Sequence, residues 1–123
     1  MKGVVALMER RIELNFLLDF YGPLLTESRA RVMRLYCEED LSLQEIADSM
    51  GITRQAVHDA IGRASEQLEQ YERKLGMAQR YKDIHAATRD AMEHLKGVRT
   101  TNDTHKALER ALESLDRIEW IEG

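Results

Sequence analysis

The 123-residue sequence predicts an all-α fold, with a helix-turn-helix domain over residues 1–76 and a C-terminal helical hairpin over residues 77–123. Three observations carry this. Helix formers such as Leu, Ala, Glu and Arg dominate, β-branched residues are sparse, and the sole proline is Pro23. Apolar residues recur at helical rather than alternating spacing. Finally, Leu41 to His58 packs two helix starts, one glycine turn and one shared apolar face into eighteen residues, the layout of a helix-turn-helix.

From Glu9 to Tyr21, Ile12, Phe16, Leu17 and Phe20 fall at helical spacing, and Gly22-Pro23 interrupts the run. Thr26 can cap a second helix reaching about Cys37, in which Ala30, Met33, Leu35 and Tyr36 alternate with Arg29, Arg31 and Arg34. Glu38-Glu39-Asp40 reads as a solvated turn. Ser42 and Glu45 then make a capping box, each side chain satisfying a backbone N–H at the helix start, with Leu43, Ile46, Ala47 and Met50 facing inward.

Small Ala47 permits a close helix crossing, and Gly51 four residues on can take the left-handed conformation that ends this helix. Thr53 caps the next one, whose stripe Val57, Ala60, Ile61, Ala64 and Leu68 leaves Arg54, Gln55, His58 and Gly62 on other sides. Beyond Leu75-Gly76, residues Tyr81, Ile84, Thr88, Ala91, Met92 and Leu95 share a face until Gly97 breaks it. Thr100 to Thr104 supply a loop and a cap, after which Leu108, Ala111, Leu112, Leu115, Ile118 and Ile121 form a last stripe. Two such helices have little core of their own, so their stripes are expected to bury against the first domain or against a second copy, and a homodimer is the expected assembly.

A formal net charge of −4 argues against indiscriminate nucleic-acid binding, which needs a dense basic surface to neutralise phosphates. No apolar run approaches the roughly 20 residues needed to span a bilayer, and Met1 to Met8 is too short for the three regions of a signal peptide. A lone Cys37 forms no intrachain disulfide and fits a reducing compartment, so a cytoplasmic location without membrane contact is expected. His85 and His94 sit nine apart without partners at a ligand spacing, and His58 and His105 are isolated, so no metal is expected. There is no glycine-rich phosphate loop, nucleophile elbow or catalytic constellation, and neither a cofactor nor enzyme activity is expected.

A groove-reading helix must project side chains from its exposed N-terminal turns, where Arg54, Gln55 and His58 stand. Glutamine pairs bidentately with adenine and arginine with guanine or phosphate. Thr53, the free N–H groups at the helix start, and Arg63 suit backbone phosphates. Against this census, Asp59 sits beside the reading face and Glu66, Glu69 and Glu72 follow.

The strings Leu14 to Thr26, Leu41 to Ala47, Thr53 to Asp59 and Leu68 to Leu75 closely resemble the YlxM family, with a match over roughly Glu9 to Met77. The resemblance implies a small bacterial helix-turn-helix protein similar to region four of sigma factors, with a regulatory role and a link to the signal recognition particle pathway. A sigma reading helix usually carries several basic residues where Ala56, His58 and Asp59 stand here. Two functions are therefore expected in competition. One is a DNA-binding regulator. The other is an adaptor that binds no DNA, docking instead on the signal recognition particle or its GTPase through an acidic helical surface.

Overall fold

The computed structural model describes the backbone of residues 2–122 and the side chains of residues 3–102 and 104–118. Among these residues the chain forms α1 (Lys2–Tyr21), a 3₁₀ turn (Gly22–Leu24), α2 (Glu27–Cys37), α3 (Leu43–Met50), α4 (Arg54–Leu75), α5 (Met77–Lys96) and α6 (Asn102–Glu122), with no strand. They fall into two compact units, Met1–Ala78 and Gln79–Gly123.

The first helix departs from the sequence expectation at its start and at one residue of its face. It begins at Lys2 rather than Glu9, and it buries Leu14, Leu17, Leu18 and Tyr21. Ile12 is 69% exposed, because about 100° of turn per residue points it some 160° away from Leu14. Phe16 and Phe20 pack edge to face, ring centroids 5.3 Å apart, on the rim of the core. Arg10 pairs with Glu69 of α4. The Arg11 guanidinium carbon lies 4.1 Å from the centre of the Tyr36 ring, and Arg11 Nη1 is 3.4 Å from the Asp40 carboxylate, fastening α1 to the turn after α2.

Helix α2 starts where the sequence indicates, the Thr26 hydroxyl accepting from the Arg29 N–H at 3.3 Å. It buries Ala30 and Met33 as expected, and also Val32 and Cys37, while Leu35 and Tyr36 are half-buried. These residues serve two clusters. The larger joins Leu14, Leu17, Leu18, Tyr21, Leu25, Ala30, Met33, Cys37, Ala64, Leu68 and Ala78, and the smaller joins Val32, Ile46, Ala47 and Val57. Burial raises the Cys37 thiol to about 11, so this cysteine packs as a neutral apolar group.

The end of the first unit is tied to its beginning. The Tyr21 hydroxyl, fully buried, donates to Glu72 Oε1 at 2.6 Å and accepts from the Met77 N–H at 3.0 Å. Glu72 Oε1 also accepts from the Ala78 N–H at 3.0 Å, so one carboxylate occupies the start of α5 just after Gly76 ends α4 at φ +62°.

In the second unit Tyr81, Ala91, Met92 and Leu95 are half-buried, whereas Ile84 is exposed. Thr88 is buried, its hydroxyl donating to the Ile84 carbonyl at 2.7 Å, which lets a polar residue sit on an apolar face. Thr101 and Thr104 open α6, the Thr101 N–H donating to Thr104 Oγ1 at 2.9 Å. Leu108, Ala111, Leu112, Leu115 and Ile118 are each half-buried; Ile121 lies outside the described side chains.

Candidate nucleic-acid interface

Helix α3 spans eight residues, too few to persist alone in water, and its ends are held by specific bonds. Ser42 Oγ accepts from the Glu45 N–H and Glu45 Oε1 accepts from the Ser42 N–H, both at 3.1 Å. Gly51 closes the helix at φ +68° with its N–H on the Ala47 carbonyl, and the Ile52 N–H reaches that same carbonyl at 3.1 Å. The left-handed conformation here is one that only glycine adopts without strain. Ile46 and Ala47 then face Val57 of α4 and Val32 of α2 in the smaller cluster, which fixes how α4 stands on its support.

The next helix starts at Thr53, whose Oγ1 accepts from the Ala56 N–H at 3.0 Å. Its buried line is Val57, Ala64 and Leu68, with Ser65 buried beside it. Helical geometry puts Gln55, Asp59, Gly62 and Glu66, at offsets of four, three and four, on the opposite arc, and all four are exposed. Arg54 and His58 flank this arc on one side. Arg63 lies about 140° around the helix from His58, so Arg54, Gln55 and His58 come together while Arg63 stands on the other flank.

Electrostatics within this face centre on Asp59. Gln55 Nε2 donates to Asp59 Oδ1 at 3.1 Å, and His58 Nδ1 lies 3.7 Å from the same oxygen. The outward arc thus offers one amide, two carboxylates and a bare glycine, with cations only at its edges. A surface of this kind disfavours sequence-blind phosphate binding and leaves selectivity to the amide and the flanking arginine and imidazole. Asp59 was legible as an obstacle but not as a partner of Gln55; the signal was a Gln and an Asp four residues apart on one helix.

Gly62 stands on this face, off the apolar stripe as the sequence indicates. A Cβ built at Gly62 meets nothing within 4 Å, so no packing requires glycine there, although glycine inside a helix costs about 0.5–1 kcal/mol relative to alanine. Gly62→Ala is expected to raise the unfolding free energy by about that amount, read by urea denaturation, and to weaken any ligand whose backbone approaches α4 at this point.

Elsewhere in the first unit, Asp19, Glu27, Arg34 and Glu38 rim an open groove of about 450 Å³ floored by Leu18, Leu25 and Ala30. His94 and His105 pair with carboxylates on their own helices, Asp90 at 3.5 Å and Glu109 at 3.0 Å. Among the described residues no three His, Cys, Asp or Glu are gathered as metal ligands, and no helix is long and apolar enough to cross a membrane.

Residues 8–113 match the family model UPF0122, described as "Putative helix-turn-helix protein, YlxM / p13 like". A UPF0122 protein of Clostridium acetobutylicum is 48% identical over 92 residues, covering 72% of this chain and 79% of the relative. One from Symbiobacterium thermophilum is 42% identical over 102 residues, covering 83% and 81%. Another, from Halalkalibacterium halodurans, is 36% identical over 113 residues, covering 92% of this chain and all of the relative. The similarity runs through α5 and into α6, well past Met77, where the sequence resemblance stops.

Proposed function

Since the chain belongs to the YlxM / p13-like helix-turn-helix family UPF0122, we propose that it is a sequence-selective DNA-binding regulatory protein that reads base edges with the first turns of α4. The observation that carries this reading is the capped, exposed start of α4, where Arg54, Gln55 and His58 are all exposed around the buried Val57. In this role Gln55 pairs with adenine, Arg54 and His58 reach neighbouring bases, and Thr53 and Arg63 hold phosphates on either side. The acidic balance keeps affinity for arbitrary sequence low.

The test is selection of bound duplexes from a random DNA pool at physiological salt, run in parallel on wild type and Gln55→Ala. Wild type is expected to enrich a defined motif. Gln55→Ala is expected to lose about 1–3 kcal/mol of discrimination at one base pair. An empty selection by wild type would remove the DNA-reading role.

A second reading is favoured by two observations, the outward carboxylates Asp59 and Glu66 on α4 and the acid-rimmed groove on α1 and α2. It is an adaptor role on the signal recognition particle or its GTPase, with salt-sensitive association through acidic surfaces. Purified protein that neither binds the particle nor changes its GTPase rate would eliminate it.

We also propose a cytoplasmic homodimer, supported by the half-covered stripe Leu108, Leu112, Leu115 and Ile118 of α6, an apolar face in want of further cover. Leu112→Glu in the full chain is expected to shift sedimentation from dimer to monomer. A wild type that already sediments as a monomer at tens of micromolar would sink this proposal.

A further inference from the structure

On the DNA-binding reading above, from which this follows, we infer that Asp59 is a positioning residue for base recognition: it holds the Gln55 amide in the one orientation that presents an adenine-complementary edge. A glutamine on an open helix face samples many rotamers, and ordering it on binding is unfavourable. Here Gln55 Nε2 already donates to Asp59 Oδ1 at 3.1 Å. An ionised carboxylate accepts and never donates, so the amide must turn its nitrogen to Asp59 and its Oε1 away. That leaves one acceptor and one remaining N–H directed outward. Adenine in the major groove asks for this pair, a donor to N7 and an acceptor for the N6 amino group.

Position distinguishes this pair from its equivalents in the chain. Gln44–Asp48 on α3 and Gln79–Asp83 on α5 repeat the spacing, with Nε2 to Oδ1 distances of 2.9 Å each. Gln55–Asp59 alone stands at the start of α4, on the arc opposite the buried line and beside Arg54 and His58. The same carboxylate lies 3.7 Å from His58 Nδ1, so it meets two of the three side chains that would face bases. An acidic side chain on such an arc repels phosphate. Its presence there is accounted for if the repulsion suppresses binding to arbitrary sequence while the hydrogen bond sharpens one base preference.

Two exposed carboxylates on one arc permit a clean test, because Glu66 has the charge of Asp59 and lies eleven residues from Gln55. The duplex selected by wild type, and three versions altered at the base pair that loses discrimination in Gln55→Ala, are titrated with wild type, Asp59→Ala and Glu66→Gln. Both substitutions are expected to tighten binding to all four duplexes by removing a negative charge. Only Asp59→Ala is expected to flatten the preference among them, by about twofold, the worth of an exposed Gln–Asp bond at this spacing. Asp59→Glu, which keeps an acceptor within reach, is expected to recover part of that preference. If Asp59→Ala binds more tightly with its preference intact, or if Glu66→Gln flattens the preference equally, Asp59 acts only through charge and the positioning role is overturned. A wild type that selects no duplex would overturn the DNA-binding reading and this role together.

Discussion

Replacing Ile46 with alanine is expected to lower the unfolding free energy by about 2–5 kcal/mol. Ile46 is fully buried among Val32, Ala47 and Val57, with Leu35, Leu41, Leu43 and Met50 closing the cluster from outside. Segments of α2, α3 and α4 converge there, and within this cluster Ile46 is the largest fully buried side chain. The measurement is the urea midpoint with an unchanged m-value, which reports stability rather than a change in compactness. Leu43→Ala, at a half-buried position of the same helix, should cost clearly less. Equal costs would mean that the smaller cluster is not enclosed as described. Because this cluster sets how α4 stands on α3, the proposed DNA-reading role further implies that Ile46→Ala weakens binding to a selected duplex at temperatures where the protein remains folded.

Tyr21→Phe is expected to cost about 1–3 kcal/mol, although it deletes a single oxygen. The hydroxyl supplies a donor to Glu72 and an acceptor to the Met77 N–H, and its removal leaves both partners short in a part-buried place. The pH dependence provides an independent check. Burial, then the hydrogen bond to Glu72, raises the Tyr21 phenol above its ordinary value of 10.0. An acid whose folded pKa is raised contributes stability that is present below its unfolded pKa and lost as pH climbs past it. Wild type should therefore lose stability above about pH 10 through this group, and Tyr21→Phe should lack that part of the decline. Parallel alkaline profiles for the two proteins would remove Tyr21 from the account.

What the sequence revealed and what it hid divide along a physical line. Thr26, Ser42 with Glu45, Gly51 and Thr53 were legible because a helix cap is a bond between residues at most a few positions apart. The burial of Val32 was not, since it depends on what α3 and α4 lay against α2. Of the residues read onto the core face of α1, Ile12 alone lies outside it, for a related reason. Val4, Met8, Ile12, Phe16 and Phe20 form an apolar row at spacing four, but only Phe16 and Phe20 touch the core. Periodicity finds an apolar row without saying which row has a partner. At the candidate site, Thr53, Arg54, Gln55 and His58 were legible from their offsets to the cap, while the split between Arg63 and the others required counting rotation along α4. The second unit was generic to the eye, because amphipathic helices resemble one another; the family match over residues 8–113 now includes much of it.

The placement of the two clusters also bears on the order in which the first unit assembles. Val32, Ile46, Ala47 and Val57 come from a short window of chain, so little loop entropy opposes their meeting. The Tyr21–Glu72 bond closes 51 residues, and it gains nothing until α1 and α4 are both in place. The turn-centred cluster is therefore expected to lie on the near side of the folding barrier and the tyrosine bond on the far side. In stopped-flow experiments, Ile46→Ala should chiefly slow folding and Tyr21→Phe should chiefly hasten unfolding. A chain built this way sets its α3–α4 turn early and fastens α1 to the end of α4 late, so the start of α4 takes shape before the rest of the unit closes around it.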